Sequence, residues 1–314
     1  MVLLITGGAG FIGRWVVKKL LANREEVVVI DNLNNGRKEN LAEFENDPNL
    51  KEVLYEDIRN REKLEDLFNK YKFQVCIHLA AQINVQESLD YPERSFENNV
   101  IGTYIILEIA RKFNTKIILI GSCMVYDLTK SNIPISETHK VKPASPYAGS
   151  KLAAEELALS YYNGLKLPVV VLRPFNTYGP YQKTNMDGGV ISIFIKQKIN
   201  HEKLLIYGDG EQTRDFLYVE DCAEFIVKAC ECDKCVGEII NAGTGKDISI
   251  NNLAQLIIND TNLIEHVEHH HPQAEIMKLV CDNTKVKRLL NWEPKTSLEE
   301  GLLKLEKWIR EYQN

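Results

Sequence analysis

The 314-residue chain is 44% hydrophobic and 26% charged, which suits a folded protein with one large core or two modest ones. This balance excludes a disordered chain, a collagen-like chain and a small disulfide scaffold. Its 38 Lys and Arg against 44 Asp and Glu give a formal net charge of −6. No general basic field therefore attracts nucleic acid or anionic lipid, and we expect neither a nucleic-acid partner nor a membrane partner.

The beginning of the chain, MVLLITGGAG, lacks the basic segment and cleavage site of a secretory signal. No later segment reaches the roughly 18 uninterrupted apolar residues of a membrane span. Seven cysteines at irregular spacing do not form the pattern of a disulfide framework. We therefore expect a protein of the reducing cytoplasm.

Short apolar runs alternate with amphipathic segments through the first half of the chain. The runs predicted as strands are Val2–Thr6, Val27–Asp31, Val53–Tyr55, Gln74–Leu79, Lys116–Gly121 and Pro168–Arg173. The segments predicted as helices are Phe11–Ala22, Arg61–Tyr71, Pro92–Phe113 and Pro146–Gly164. Such alternation predicts an α/β fold with parallel strands, helical crossovers and a doubly wound sheet.

The alternation weakens after about Pro174, which indicates a smaller, mixed α/β C-terminal domain. Helices are predicted there at Val190–Asn200, Val219–Cys232, Asn251–Asp260 and Leu298–Tyr312. We predict that the first domain comprises residues 1–174 with about 214–244, and the second residues 175–213 with 245–314.

A glycine-rich loop, TGGAGFIG, lies between the first predicted strand and the first predicted helix. Glycines at this point allow a tight turn and a close approach of the backbone to a pyrophosphate, and the helix N-terminus favours an anion. Asp31 ends the next strand, 18 residues after Gly13, where a carboxylate meets the ribose of an adenosine and repels a 2′-phosphate. NAD is therefore expected rather than NADP, and the loop residues predicted to bind it are Gly7, Gly10, Phe11, Ile12 and Gly13.

Further candidate cofactor contacts follow the strands of the predicted sheet. Ligands of open α/β sheets bind along the carboxyl ends of the strands. The residues at these ends that we predict to bind the cofactor are Asn32, Asp57, Ile58, Leu79, Ala80 and Ala81.

The pair Tyr147 and Lys151 forms a YxxxK pattern at the start of a predicted helix. This spacing puts both side chains on one helical face. An ammonium group beside a phenol favours the phenolate and is expected to lower the phenol pKa. Tyr147 could then take a proton from a sugar or alcohol hydroxyl while hydride leaves the same carbon. Ser122 ends the preceding strand in GSCMVYD, in position to hydrogen-bond the same reacting oxygen.

These motifs together resemble the extended short-chain dehydrogenase/reductase superfamily, in particular its nucleotide-sugar epimerases and dehydratases, whose fold is a Rossmann-type sheet with a smaller substrate domain. The resemblance covers nearly the whole chain. It includes TGGAGFIG, LAAQ, NNVIGT, the Ser122/Tyr147/Lys151 set, RPFNTYGP, GDGEQTRDFLYVEDCA, NAGTG and NWEPKTSLEEGL.

The resemblance implies a set of ligand contacts and partners. Asn176 would hold the diphosphate of a nucleotide sugar, preferably a UDP-sugar, and Arg214 would pair with its phosphates, a role that suits a guanidinium group. Asn99 and Lys151 would contact the nicotinamide side of NAD. The relatives usually form homodimers through helices that correspond to Pro92–Phe113 and Pro146–Gly164, so a homodimer is expected.

The residues after Ser122 bear on the reaction. In 4,6-dehydratases that this chain resembles, these two positions are an acid and a glutamate, whereas here they are Cys123 and Met124. A methionine cannot transfer a proton. In the enzymes that this chain resembles, NAD first takes the hydrogen from carbon 4 of the sugar. The simplest outcome here is its return to the other face of carbon 4, which is a UDP-hexose 4-epimerisation. Alternatives are a dehydratase with Cys123 as acid, a 4-dehydrogenase or reductase, and a dinucleotide sensor without turnover.

Two other histidine and cysteine clusters are weighed as sites. The segment 269–275, HHHPQAE, stands where related epimerases carry a phosphate-binding arginine, and a histidine there would carry a pH-dependent charge. Cys230, Cys232 and Cys235 have CxCxxC spacing without a second CxxC, which is more typical of a helix end than of a zinc site. No metal is predicted.

Overall fold

The computed structural model describes residues 1–127, 133–185, 188–258, 260–268 and 277–312. Its strands are β1 (Val2–Thr6), β2 (Glu26–Ile30), β3 (Leu50–Leu54), β4 (Val75–His78), β5 (Lys116–Ile120), β6 (Val169–Pro174), β7 (Asn176–Tyr178), β8 (Leu204–Tyr207), β9 (Thr213–Arg214), β10 (Phe216–Tyr218), β11 (Ile239–Ala242), β12 (Ile248–Ser249), β13 (Ile264–Val267) and β14 (Lys278–Leu279). Its helices are α1 (Phe11–Ala22), α2 (Arg61–Tyr71), α3 (Val85–Asp90), α4 (Pro92–Ser95), α5 (Gly102–Phe113), α6 (Pro146–Leu165), α7 (Val190–Ile199), α8 (Val219–Glu231), α9 (Ile250–Ile257), α10 (Thr284–Leu290) and α11 (Leu298–Tyr312).

A seven-stranded parallel sheet forms the centre of the fold, in the order β11-β6-β5-β4-β1-β2-β3. From β1 the chain adds strands first on one side of the sheet (β2, β3) and then, from β4 onward, on the other side. Such a reversal of strand order opens a crevice at the carboxyl ends of the strands. The predicted doubly wound α/β sheet is thereby confirmed.

Alternate side chains of the central strands enter two different cores. On β1, Leu3 and Ile5 pack with α1 and α8 on one face, whereas Leu4 packs with α2, α5 and α6 on the other. All three side chains are fully buried. Apolar residues on both faces are typical of a parallel strand covered on both sides, which is why these strands are continuous apolar runs in the sequence.

The observed elements differ from the predicted ones at three points. Val2–Thr6 is observed as predicted, and the other five predicted strands shift by one to three residues at one or both ends. The seventh strand of the central sheet, β11, and the helices α3 and α10 were not predicted. The single helix predicted over Pro92–Phe113 is divided into α4, a π-helical segment at Phe96–Ile101, and α5. Hydrophobic periodicity does not indicate such a wider turn, which is rare and short. The segment contains Asn99, whose contacts are described below.

A second, smaller core lies among α7, α9 and α11 and the short strands beside them. Here β7 pairs with β10, β8 pairs with β13, and β9 lies between β12 and β14. Both parallel and antiparallel pairs occur in these small sheets, which agrees with the predicted mixed α/β character. The residue boundaries of the two domains stay a prediction.

The buried carboxylate of Asp215 joins three segments of this second part. It accepts hydrogen bonds from the Thr244 amide (2.7 Å) and hydroxyl (2.6 Å), from the Gly245 amide (2.9 Å) and from the Cys281 amide (3.0 Å). Burial raises its pKa, and these donors oppose the rise. The contacts fix the segment around Arg214 against the NAGTG turn that follows β11.

Candidate active site

Two neighbouring cavities open at the carboxyl ends of the central strands. The first follows the ends of β1, β2, β4 and β5 and includes the start of α6, and the second lies between α7, β8 and Arg214. Asn176 borders both. If one ligand occupied both cavities, its two parts would therefore be joined next to Asn176.

The first cavity begins at the glycine loop between β1 and α1, and all five predicted loop residues border it. Gly7 has a φ of +72°, and a Cβ atom on it would lie 2.8 Å from the Ala80 amide nitrogen. A Cβ atom on Gly13 would collide with the Gly7 carbonyl oxygen. The first turn of α1 has no acidic residue and no side-chain cap, so its amide groups and dipole are open to a pyrophosphate, as NAD requires.

Asp31 and Asn32 border the same cavity at its adenosine end. The Asp31 carboxylate is 6% exposed and accepts hydrogen bonds from the Ala9 amide (2.9 Å) and the Leu33 amide (2.8 Å). Burial raises its pKa, and these bonds oppose the rise. A carboxylate held in this way can still accept the hydroxyl groups of a ribose, which fits NAD.

Most of the predicted contacts from β3 and β4 also border the cavity, but Asp57 does not. Ile58, Leu79, Ala80 and Ala81 are part of its wall. Asp57 instead binds the Arg59 side chain (3.0 Å) and accepts a bond from the Asn32 amide group (3.0 Å). The Arg59 guanidinium lowers the pKa of Asp57 to about 2, so this residue braces Asn32 from outside the cavity.

Asn99 does not border the first cavity, and its predicted contact with the cofactor stays a prediction. Its side chain is 2% exposed; its Oδ1 accepts the Gln82 amide (2.8 Å), and its Nδ2 donates to Ser150 Oγ (2.8 Å). The π-helical segment turns Asn99 inward and leaves its neighbour Asn98 at the cavity wall. Adjacent asparagines cannot be told apart from the motif alone, since one added residue in the turn exchanges their directions.

Ser122, Tyr147 and Lys151 meet at the inner end of the first cavity, and all three border it. Ser145 caps α6 through a hydrogen bond to the Ala148 amide, and Pro146 occupies its first turn, so the helix begins immediately before Tyr147. The Lys151 ammonium donates to the Ile120 carbonyl oxygen at 2.5 Å. That bond joins α6 to the end of β5, next to Ser122.

The predicted lowering of the Tyr147 pKa is wrong for this structure. Burial raises the pKa of Tyr147 to about 12, while the Ser122 hydroxyl opposes the rise. Burial also lowers the pKa of Lys151 to about 8. Sequence spacing indicated that both groups share a face, but the cost of burying charge exceeds the effect of an ammonium that is directed at a carbonyl oxygen.

Cys123 and Met124 border the cavity beside Ser122. Cys123 is 3% exposed, and its Sγ lies 3.8 Å from Asn176 Oδ1. Burial raises the pKa of this thiol to about 12, so it stays protonated. Asp31 is the one acidic side chain among the described residues that border this cavity, and it belongs to the opposite, adenosine end.

The second cavity contains the predicted substrate residues Asn176 and Arg214, together with Lys196, Gln212 and Tyr207. Arg214 Nη1 donates to the Thr213 carbonyl oxygen at 2.8 Å. Two basic side chains at one cavity suit an anionic ligand such as a diphosphate. The histidine segment 269–275 lies outside the described residues. Gln182, which sequence reasoning missed, borders the first cavity.

Comparison with known proteins identifies the family. Residues 4–305 match the family model for GDP-mannose 4,6 dehydratase. The chain belongs to this family of extended short-chain dehydrogenases/reductases. It is 36% identical over 310 residues to a UDP-glucose 4-epimerase of Mycolicibacterium smegmatis, with 98% of each chain covered. It is 35% identical over 328 residues to a UDP-N-acetyl-alpha-D-glucosaminuronate decarboxylase of Bacillus cytotoxicus, with 99% and 98% covered.

Solved structures of the family share this fold. Pal from Bacillus thuringiensis is 55% identical with a TM-score of 0.97, covering 99% of each chain. A UDP-glucose 4-epimerase of Thermotoga maritima, solved with UDP-glucose, is 34% identical with a TM-score of 0.92, covering 100% of each. A dTDP-glucose 4,6-dehydratase of Streptomyces venezuelae, solved with NAD, is 29% identical with a TM-score of 0.93, covering 100% and 98%. The prediction of NAD as the family's cofactor is confirmed.

The described residues contain neither a candidate metal site nor a membrane-spanning helix. No group of three or more His, Cys, Asp or Glu side chains within these residues is arranged to hold a metal ion. None of their helices combines the length and the apolar character that crossing a bilayer requires.

Gly13→Ala tests the glycine cradle. The added methyl group meets backbone atoms of Gly7 and Gly8 that cannot move aside, so we expect a loss of about 2 kcal/mol in the free energy of unfolding and roughly tenfold weaker NAD binding. The measurements are urea unfolding and calorimetric titration with NAD. Gly164→Ala in α6 is the control, because its Cβ atom meets nothing within 4 Å; an equal loss in both variants would contradict the account.

Proposed function

We propose that this protein is an NAD-dependent enzyme that oxidises carbon 4 of a UDP-sugar and returns the hydrogen to the opposite face, a UDP-hexose 4-epimerase. The observation that carries the proposal is the meeting of Ser122, Tyr147 and Lys151 at a cavity that has no carboxylate at this end among its described residues. The family includes epimerases, dehydratases and decarboxylases, so the proposal rests on the site.

In the proposed reaction Tyr147 removes the proton from the hydroxyl group on carbon 4, and Ser122 hydrogen-bonds the same oxygen. Bound NAD would supply the hydride acceptor and a positive nicotinamide ring near the phenol. Lys151 would hold the bound cofactor, and its ammonium would favour the phenolate. Because Tyr147 is protonated at neutral pH in the protein alone, we infer that it becomes an effective base only with both ligands present.

The choice of epimerisation depends on the proton at carbon 5. Elimination of water between carbons 5 and 6 requires a base for that proton. Met124 cannot accept one, and the Cys123 thiolate is disfavoured by burial. The 4-keto sugar therefore keeps its carbon 5 hydrogen and takes the carbon 4 hydrogen back after turning over in the cavity.

Asn176 and Arg214 are proposed to hold the diphosphate of the substrate. Asn176 stands between the two cavities, and Arg214 and Lys196 supply positive charge in the second. A hexose in the first cavity and a nucleoside in the second would then share one diphosphate between them. UDP is preferred because the related epimerases named above act on UDP-sugars.

The first prediction from this proposal concerns the product. Purified enzyme incubated with UDP-glucose, UDP-galactose, UDP-GlcNAc and UDP-glucuronate is expected to convert at least one of them to a product of unchanged mass. Proton NMR should show the couplings at carbon 4 switched between axial and equatorial. Loss of water would contradict the epimerase and favour a dehydratase with Cys123 as acid, and a change of two mass units would indicate a dehydrogenase or reductase.

Tyr147→Phe in the same assay is expected to lower kcat at least about 100-fold, since the proton acceptor is removed, while NAD stays bound. Tyr162→Phe, on the same helix, is the control and should retain activity. If Tyr147→Phe turned over at the wild-type rate, the assigned base would be wrong.

We also propose a homodimer formed through α5 and α6. Phe96 and Ile101 at the two ends of the π-helical segment and Tyr104 in the first turn of α5 have 54%, 37% and 40% of their surfaces exposed, and exposed large apolar side chains at such close spacing in the chain favour an interface. Light scattering should give a dimer for the wild type and a monomer for Tyr104→Glu. Leu303→Glu on α11, where the side chain is 70% exposed, should remain dimeric, and a monomeric wild type would contradict the proposal.

A further inference from the structure

Two side chains of α6, rather than one, form hydrogen bonds with the backbone at the end of β5. Lys151 donates to the Ile120 carbonyl oxygen at 2.5 Å, and Glu155 Oε1 accepts the Ser122 amide at 3.3 Å. The Glu155 side chain also packs closely against the Gly121 backbone, so that a Cβ atom on Gly121 would collide with Glu155 Oε1. Tyr147, Lys151 and Glu155 follow each other at four-residue intervals, so one face of α6 carries all three.

Glu155 is fully buried and paired. Its Oε2 accepts hydrogen bonds from Arg173 Nε (2.9 Å) and Nη2 (2.6 Å), and the Arg173 guanidinium in turn lies 4.8 Å from the centre of the Tyr126 ring. A buried carboxylate is expensive unless it is paired in this way. Burial raises the pKa of Glu155, and the Arg173 guanidinium, the Lys151 ammonium and the Ser122 amide oppose the rise, so the pair favours a carboxylate at the Ser122 backbone.

We propose that Glu155 is a positioning residue for the reaction, which holds the Ser122 backbone under Tyr147 and keeps Lys151 in its ammonium form. The inference rests on the proposed function, because it assigns Glu155 through the groups that act there. Neither the motif resemblance nor the YxxxK spacing pointed to this residue.

The other titratable groups around Lys151 do not supply that charge. His78 on β4 lies near Lys151, but burial lowers its pKa to about 3 and leaves it neutral. Cys123, after β5, is a neutral thiol, and Arg173 on β6 is cationic and bound to Glu155. Glu155 is thus the one anion that acts on Lys151 from the described residues around it, and its charge opposes the loss of the ammonium proton.

The same charge acts on Tyr147. Glu155 favours the neutral phenol and so raises the pKa of Tyr147. Removal of the charge lowers the pKa of both groups, since an anion favours the protonated state of each. Glu155→Gln should therefore move both limbs of the pH profile of kcat/KM to lower pH, by about one unit. A residue that only packs would lower activity without moving the limbs.

Glu155→Asp separates position from charge. The shorter side chain keeps the negative charge but withdraws from the Ser122 amide, so kcat should fall on the order of tenfold to a hundredfold with the limbs unmoved. Glu156→Gln is the matched control: this neighbour is exposed, and its neutralisation should change neither kcat nor the limbs.

Direct titration of the phenol keeps the test independent of turnover. In the NAD-loaded protein, the ultraviolet difference titration of wild type against Tyr147→Phe reports Tyr147, and Glu155→Gln should shift that titration to lower pH. An unmoved titration in a folded variant would overturn the inference, whether or not any UDP-sugar is converted. If the sugars are not converted but the titration shifts, the proposed function fails and the role of Glu155 stands.

The single variant leaves Arg173 buried without its partner and therefore threatens the fold. Glu155→Gln combined with Arg173→Met removes both charges together, and circular dichroism checks that it folds. The double variant should shift the Tyr147 titration in the same direction but by less, because it removes two opposite charges together and leaves no unpaired Arg173 cation. A double variant that folds with wild-type titration and wild-type pH limbs would also overturn the inference.

Discussion

Helix α6 meets the carboxyl end of β5 along one face, and the relative positions of Ser122, Tyr147 and Lys151 depend on that contact. The hydrogen bond from Lys151 to the Ile120 carbonyl oxygen fixes the helix against the strand. Because β5 stands in the interior of a parallel sheet, its end cannot move without moving its neighbours. The rigid sheet thus holds these three side chains at its carboxyl edge, where ligands of open α/β sheets bind.

The glycine loop imposes the second constraint, since it determines how closely a dinucleotide can approach α1. Gly7 and Gly13 leave space that no side chain could share with the backbone around them. One end of the cavity thereby suits a pyrophosphate and a ribose, and we propose proton transfer at the other end, where Tyr147 lies. The second cavity, with Arg214 and Lys196, extends this arrangement toward an anionic substrate.

The features that the sequence predicts well are those set by local spacing. The alternation of apolar runs predicts six of the strands, and GxxGxxG and YxxxK predict the loop and the helical face because each depends on neighbouring residues. The direction of the Tyr147 pKa shift was predicted wrongly, and the surroundings of Asn99 and Asp57 were not predicted, since none of these follows from a motif. Asn99 is turned by a π-helical segment, Asp57 is drawn to Arg59, and burial of Tyr147 outweighs its neighbouring ammonium.

Family membership leaves the fate of the 4-keto sugar open, and the residues beside Ser122 carry the argument for epimerisation. The most direct test is turnover in D₂O with the UDP-sugar that the enzyme converts, read by mass spectrometry and NMR. The account predicts that carbon 4 exchanges its hydrogen only with the enclosed cofactor and that carbon 5 keeps its hydrogen. The product should therefore contain no carbon-bound deuterium from the solvent. Deuterium at carbon 5, or loss of water, would show that a group in the cavity removes that proton and would contradict the account.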